Sequence, residues 1–492
     1  MSSIFNQTFS QTLRVGEAYS LEKSMQVQSI AGETKDEIIL VRATTDKDLG
    51  LIDKVTIERF NKKNLNYIGR SVTDELFDNK QTNFPEALEV WNDSVCVFSS
   101  EYLKQEKDYA LKMRYLRADG SVSTPRVLLE SSSLDFTFNR KHFRVSVSPD
   151  GGFLSAMHFR ELDKKGETEI SLVRYDSLFK PASELQAVLP FPGKELEVVQ
   201  EITDNAGNLH LLLKGKMDEE EIYSIFAFPV FGNELIEYKL DIPGKRITSV
   251  RMVLNEFDKL LVSGLFRENF EELGKNSGVF NLRIDRESGS IEGKGISRFD
   301  TDLNGLSAGE QTGKQRNSFD EYVSTSVFPM GKNGSLFIAE IAKEEEICET
   351  DYRNGLLTCS DSYSKGNLLM ISFNEKGLVD WYRIIENQQR TFDDEGVYIG
   401  IVSVKAKQQA LLNLRNEGSN PSVRDKSKAF TDFRNSEVGY DLVNSNGQIE
   451  LSRNVDEVKF PLLPYSVYNS ESGKVYLISE FGGKAAMVEV QP

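Results

Sequence analysis

One module recurs along the 492 residues: a mixed run, a polar turn, then a strongly apolar strand. It occurs eight times, and each of the first seven copies is followed by a second hairpin of alternating residues. The mean period is about 60 residues, and four strands per fixed period is the mark of a radial repeat. These observations predict an all-β fold: a single β-propeller over 1–492, with eight blades of four antiparallel strands. Seven blades is the alternative count. A chain of two or three β-sandwiches is the rival architecture. Against it stand the even turn spacing and the absence of a Pro/Ser/Gly linker or a composition shift.

The first hairpins, in chain order, are SIAGETKDEIILVRA (29–43), ALEVWNDSVCVFSS (87–100), VSVSPDGGFLSAMHF (145–159), QEITDNAGNLHLLLKG (200–215), RMVLNEFDKLLVSGL (251–265), SVFPMGKNGSLFIAEI (326–341), GIVSVKAKQQALLNL (400–414) and YSVYNSESGKVYLISEF (465–481). The third shows the logic. Val145 and Val147 alternate with polar residues, Pro149 presets φ, and Gly151 and Gly152 free the backbone for a tight turn.

The second hairpins are KVTIERFNKKNLNYIG (54–69), LKMRYLRADGSVSTP (111–125), SLVRYDSLFKPASEL (171–185), IFAFPVFGNELIEYKL (225–240), FNLRIDRESGSIEGK (280–294), LMISFNEKGLVDWYRI (369–384) and YDLVNSNGQIELSR (440–453). Pro-Gly-Lys precedes two of the next units, so Pro192 and Pro243 should end outer strands, where a missing N–H costs little. The eighth unit, 456–492, has three strands. TLRVGEAY, within about 10–20, is the segment available to complete it, which would hide both sheet edges.

Hydrophobic residues at 39% and charged residues at 27% suit a soluble chain with a large core. The net charge of −17 argues against a nucleic-acid partner. No run of 18 apolar residues exists, so no membrane insertion is expected. MSSIFNQTFSQTLRVGEAYS carries no cationic and apolar leader pattern. The chain is therefore either cytoplasmic or a mature exported form.

Cys96, in VCVF, should pack as a small hydrophobe. Cys348 and Cys359 bracket CETDYRNGLLTC around an Asn-Gly turn, the layout of a hairpin pinned by a disulfide; two free loop thiols are the alternative reading. The disulfide would place the protein in an oxidising compartment, periplasm or cell surface. That segment, with its acidic flank Glu344-Glu345-Glu346, is one of three insertions. The others are 415–437 and DTDLNGLSAGEQTGKQRNS (300–318). Loops on a rigid scaffold carry function, so these three are the first places to look.

No catalytic signature stands out. GLSAG (305–309) has the spacing of a nucleophile elbow around Ser307, without the strand–turn–helix setting that exposes such a serine. DTDLNG places Asp300, Asp302 and Asn304 at the first, third and fifth positions of a calcium-loop pattern. The twelfth is Gln311, where a bidentate Glu belongs, so solvated loop carboxylates are the plainer reading. His142, His158 and His210 fall in strands, where half-buried packing is commoner than metal ligation. Trp91 and Trp381 should fill space between blades. No other cofactor is implied.

VSVSPDGGFLSAMHF, ITDNAGNLHLLL, VFPMGKNGSLFIAEI and above all GNLLMISFNEKGLVDWYRIIENQQ (366–389) resemble a loosely defined family of exported β-propeller proteins common in Bacteroidota, of the WD40-like, six-to-eight-bladed kind. The family tends to have an apolar strand, a D/N-x-x-G turn, a Trp and a segment ending in Gln. Trp381, Gln388 and Gln389 fit. QQALLNLRNEGSN keeps only the Asn positions of the segment that follows, and the family's export signal is missing. The resemblance implies fold and export. The expected function is a non-enzymatic binding or scaffold protein of the bacterial cell envelope. Its expected partner is another envelope protein, such as an outer-membrane secretion or gliding complex. The alternative is an enzyme acting on glycans or other polymers with carboxylates at the propeller channel.

Overall fold

The computed structural model describes residues 12–22, 25–45, 52–72, 83–103, 108–117, 121–131, 143–162, 167–217, 220–231, 235–240, 242–257, 259–268, 276–286, 289–303, 319, 321–350, 357–392, 396–405, 410–419, 431–455, 457–470 and 472–491. These form eight antiparallel sheets, seven of them meanders in sequence order. Blades 1 to 7 are built from 26–72, 83–131, 143–189, 197–239, 245–298, 322–385 and 401–455. Blade 8 takes three strands from 468–491 and its outermost strand from the other end of the chain. Thr12–Val15 pairs antiparallel with the last strand, Thr12 opposite Gln491 and Val15 opposite Val488. A further short strand, Tyr19–Ser20, pairs with the same partner. The expected eight blades and N-terminal closure are both present.

Alternation explains why both faces of every blade are buried. In blade 1, Ile38 and Leu40 pack toward blade 8, while Ile39 and Val41 pack toward blade 2. In blade 8, Tyr476 and Ile478 meet blade 1, while Val475 and Leu477 meet blade 7. The core is thus a set of apolar layers between neighbours, one for each successive pair of blades. The eighth layer returns to blade 1, so the ring closes. The first strands of blades 8 and 1 to 6 touch in succession, which places them innermost.

A meander puts its connections on two faces. First-to-second and third-to-fourth turns lie on one, the turn face. Second-to-third hairpins and blade-to-blade connections lie on the other, the connection face. The turn face is built from one repeated device. Asp204, Asn255, Asn374 and Asn444 each open a turn, and the side-chain Oδ1 accepts the backbone N–H groups two and four residues on. Three of these turns carry a glycine at positive φ: Gly207, Gly377 and Gly447. Both tryptophans lock neighbouring turns. Trp91 Nε1 donates to Gly151 O at 2.9 Å and Trp381 Nε1 to Ser445 O at 2.7 Å. Pro192 and Pro243 lie in the connections after the outer strands Pro181–Leu189 and Ile236–Lys239.

Among the described residues, no helix is long and apolar enough to cross a membrane.

Candidate functional site

The connection face is irregular where the turn face is regular. The second and third strands of blade 6, Gly334–Thr350 and Leu357–Phe373, run 17 residues each. Their counterparts in blades 1 to 5 run 8 to 10. The excess projects as a two-stranded ribbon whose ladder continues from Ala342↔Lys365 to Thr350↔Leu357. Cys348 and Cys359 lie directly opposite each other and are joined by a disulfide. The Asn-Gly turn between them lies outside the described residues. Glu344, Glu345 and Glu346 are exposed along the ribbon. A third strand, Gln389–Phe392, pairs with 362–365 and braces its base.

The blade 7 insertion roots beside it. Its described ends pair Ser419 with Asp432, and Thr431 exchanges hydrogen bonds with Arg390 through both its N–H and its hydroxyl. The third insertion belongs to the blade 5–6 connection, hence to the same face. There Asp300 pairs with the Arg298 guanidinium, and Asp302 Oδ2 accepts the Arg298 N–H at 2.7 Å. Asn304 and Ser307 lie outside the described residues.

At the ribbon's base is a cavity of about 460 Å³, within the usual range of small-molecule sites. Blade 6 contributes Glu340 and Lys365, blade 1 contributes Gln26 and Gln28, and the connections to blades 7 and 8 contribute Gly400 and Tyr465. Glu340 follows Leu336 and Ile338 on the blade 7-facing side of its strand, so alternation carries its carboxylate into the layer between blades. The side chain is 5% exposed, and Oε2 lies 3.1 Å from Lys365 Nζ. Oε1 makes no full hydrogen bond. Burial pushes the carboxyl above its ordinary range, with the Lys365 ammonium and the Ile401 N–H pulling partly back.

The opposite wall is held from behind. Gln389 Oε1 accepts the Gly400 N–H at 2.7 Å, and Gln389 Nε2 donates to Asn416 O. Asn416 in turn donates to Tyr398 O and exchanges two hydrogen bonds with the Leu462 backbone. Gly400 sits at φ +116°, and a Cβ there would stand 3.7 Å from Glu340 Oε1. Gln389 was singled out by the family pattern, so that motif serves the cavity wall. Glu340, Lys365 and Tyr465 were not anticipated. The available signal was a carboxylate at the third alternating position after Leu336 and Ile338 in SLFIAE.

The two described histidines do not converge, and both are more buried than the half-buried reading expected. His158 packs against Phe143 at 5.1 Å, on the side facing blade 2. His210 is buried toward blade 5, its Nε2 3.6 Å from Asp204, which also meets Arg286. Burial raises the Asp204 carboxyl, but the nearby His210 imidazole, the hydrogen bonds from Asn208 and the Arg286 charge outweigh it and hold the group at about 2. His142 lies outside the described residues. Cys96 is wholly buried, and burial pushes its thiol up to about 12.

These features define an eight-bladed β-propeller with an elaborated connection face and a cavity at the base of its blade 6 ribbon. No family model matches the chain, and no curated protein matches it. It is similar to the solved Dos1 propeller, at 10% identity over 97% of this chain and 95% of that one, with a TM-score of 0.47. It is similar to the β-propeller domain of the Trilobed protease from Pyrococcus furiosus, at 9% identity over 89% and 96%, TM-score 0.38. It is also similar to the polysaccharide lyase Uly1, at 9% identity over 83% and 90%, TM-score 0.36. The blade count rests on this chain's own strand order. Of the family resemblance, the structure carries the fold.

Proposed function

We propose that the chain is a binding propeller of an oxidising compartment, gripping another protein of the bacterial cell envelope through its connection face. The supporting observation is the ribbon of blade 6, cross-linked at Cys348–Cys359, braced by Gln389–Phe392 and flanked by the blade 7 insertion. A two-stranded ribbon without a core is marginal in water, so its cross-link and brace suit an element held out for contact. Exposed Glu344, Glu345 and Glu346 match a partner surface rich in Lys and Arg. A component of an outer-membrane secretion or gliding complex fits this role.

The test is affinity purification of tagged protein from gently solubilised envelopes of the native host. It is done in parallel with a variant whose ribbon tip, 346–361, is replaced by a short turn, which keeps the pairing of 362–365 with Gln389–Phe392. The expected result is a co-purifying envelope protein that is lost with the ribbon. Recovery of the intact chain as a monomer would sink the reading.

A glycan-acting enzyme is the second reading, favoured by the raised carboxyl of Glu340. It predicts turnover of a polysaccharide that is abolished in Glu340→Gln.

A further inference from the structure

We propose that the cavity between blades 6, 7, 8 and 1 is a binding site for a neutral saccharide, one or two sugar units in size. This goes beyond the protein-binding role of the ribbon and stands independently of it, since it uses none of the ribbon's exposed residues.

The floor of the cavity determines the charge of the ligand. Glu340 and Lys365 form an ion pair at 3.1 Å, so their joint charge is close to zero. An anion entering here would meet the carboxylate, and a cation would meet the ammonium. A hydroxyl suits both, because it donates to a carboxylate and accepts from an ammonium. Glu340 Oε1 is the less satisfied acceptor: it is buried, and beyond the pull of the Ile401 N–H on the carboxylate it has no hydrogen bond of full geometry. A buried acceptor so weakly partnered is stabilised when a further donor reaches it. Two neighbouring hydroxyls on a pyranose ring can bridge Oε1 and the Lys365 ammonium together.

The walls add what a sugar needs beyond hydroxyl contacts. Gln26 and Gln28 are exposed at the start of the innermost strand of blade 1, and each amide offers donors and an acceptor. Tyr465 is 45% exposed and its hydroxyl donates to Val27 O at 3.2 Å, so the phenol is tethered at the cavity wall, where an aromatic ring can meet sugar C–H groups. Gly400 brings bare backbone to the carboxylate, leaving the approach to Oε1 free of a side chain. That wall is fixed by Gln389 and Asn416, so the site is preorganised rather than assembled on binding.

The experiment is ligand-observed NMR and calorimetry on the full chain. The probes are galactose, N-acetylglucosamine, xylose, maltose and cellobiose, with glycine, acetate and calcium chloride as charged controls. At least one neutral sugar is expected to bind in the millimolar range or tighter. Glu340→Leu places an aliphatic side chain beside Leu336 and Ile338 and should fold; it is expected to weaken binding at least tenfold. Tyr465→Ala also removes the hydrogen bond to Val27 O; it is expected to weaken binding several-fold while the protein remains folded at the assay temperature. The ribbon-shortened variant is expected to bind the sugar as the full chain does, which separates this site from the partner interface. The proposal is overturned if none of the sugars binds in the millimolar range, or if Glu340→Leu binds as well as the unaltered protein. Binding of a charged control at Glu340 in place of sugar would overturn it too.

Discussion

Arg42 donates from Nη1 to Glu480 Oε2 at 2.8 Å, across 438 positions of sequence, and so ties the first blade to the last. The same guanidinium donates from Nε to Glu58 Oε2 at 2.8 Å and from Nη2 to the Tyr19 hydroxyl. Tyr19 also donates to Glu58 and stacks on Tyr67 at 4.5 Å. The N-terminal segment, blade 1 and blade 8 are therefore joined through one buried cation, whose side chain is 2% exposed.

Removing that cation leaves two carboxylates without their partner. Arg42→Met is expected to destabilise the fold by about 3–5 kcal/mol, the scale for breaking a buried ion pair from one side. Chemical denaturation would read this as a lower midpoint. A change below about 1 kcal/mol, the level of an exposed pair, would show the network to be solvated.

The disulfide should act locally. A bridge closing a loop of this size is worth about 3 kcal/mol against the unfolded chain, but it lies on the ribbon and not between blades. Cys348→Ser with Cys359→Ser is expected to raise amide exchange in 343–364 by about a hundredfold while leaving blade exchange unchanged. Limited proteolysis should then cut in the ribbon first. Loss of protection throughout the ring would contradict this.

Glu340 and Asp204 should give opposite pH dependences. Burial raises the Glu340 carboxyl above its unfolded value of 4.5, with Lys365 only partly opposing. The native state then holds that proton more tightly. Its stabilising contribution is whole below pH 4.5 and is lost as pH rises through the native value. Stability relative to Glu340→Gln should accordingly fall as pH rises from about 4.5. Asp204, held at about 2 against an ordinary 3.8, contributes above 3.8 and loses that contribution as pH falls toward 2. The cost of Asp204→Asn should therefore be constant at neutral pH and shrink below 3.8. Denaturation midpoints measured across pH 2 to 8 would test both signs.

The two tryptophans offer separate views of the ring. Trp91 lies in the layer between blades 2 and 3, and Trp381 in that between blades 6 and 7. Trp91→Phe and Trp381→Phe each leave one emitter and remove one inter-blade hydrogen bond. Each is expected to cost about 1–3 kcal/mol. The two single-tryptophan proteins should show unfolding curves of the same shape, each coincident with its own far-ultraviolet dichroism, if the ring melts as one unit. Separated transitions would show that part of the circle opens alone.

The fold was legible because alternation is local. Ile38 to Val41 declare two buried faces within four residues, and Asp204-Asn205-Ala206-Gly207 declares its turn. The missing strand was legible by counting, since the eighth unit had three and TLRV was unassigned. The Cys348–Cys359 hairpin was legible from its turn. The cavity was not. Glu340, Lys365, Gly400, Tyr465 and Gln26 meet only when the circle closes, and no spacing in the chain encodes that meeting. Asp300 and Asp302, spaced as in a calcium loop, both meet Arg298 two to four residues away, while Asn304 lies outside the described residues.

Pairing of Thr12–Val15 with the final strand has a consequence for biogenesis. Thr12–Val15 lacks this strand partner until Lys484–Gln491 has been made and delivered. Throughout that interval its backbone edge is unsatisfied. Any cellular factor that shields an exposed strand would find its binding site in that interval, and lose it the moment the ends meet.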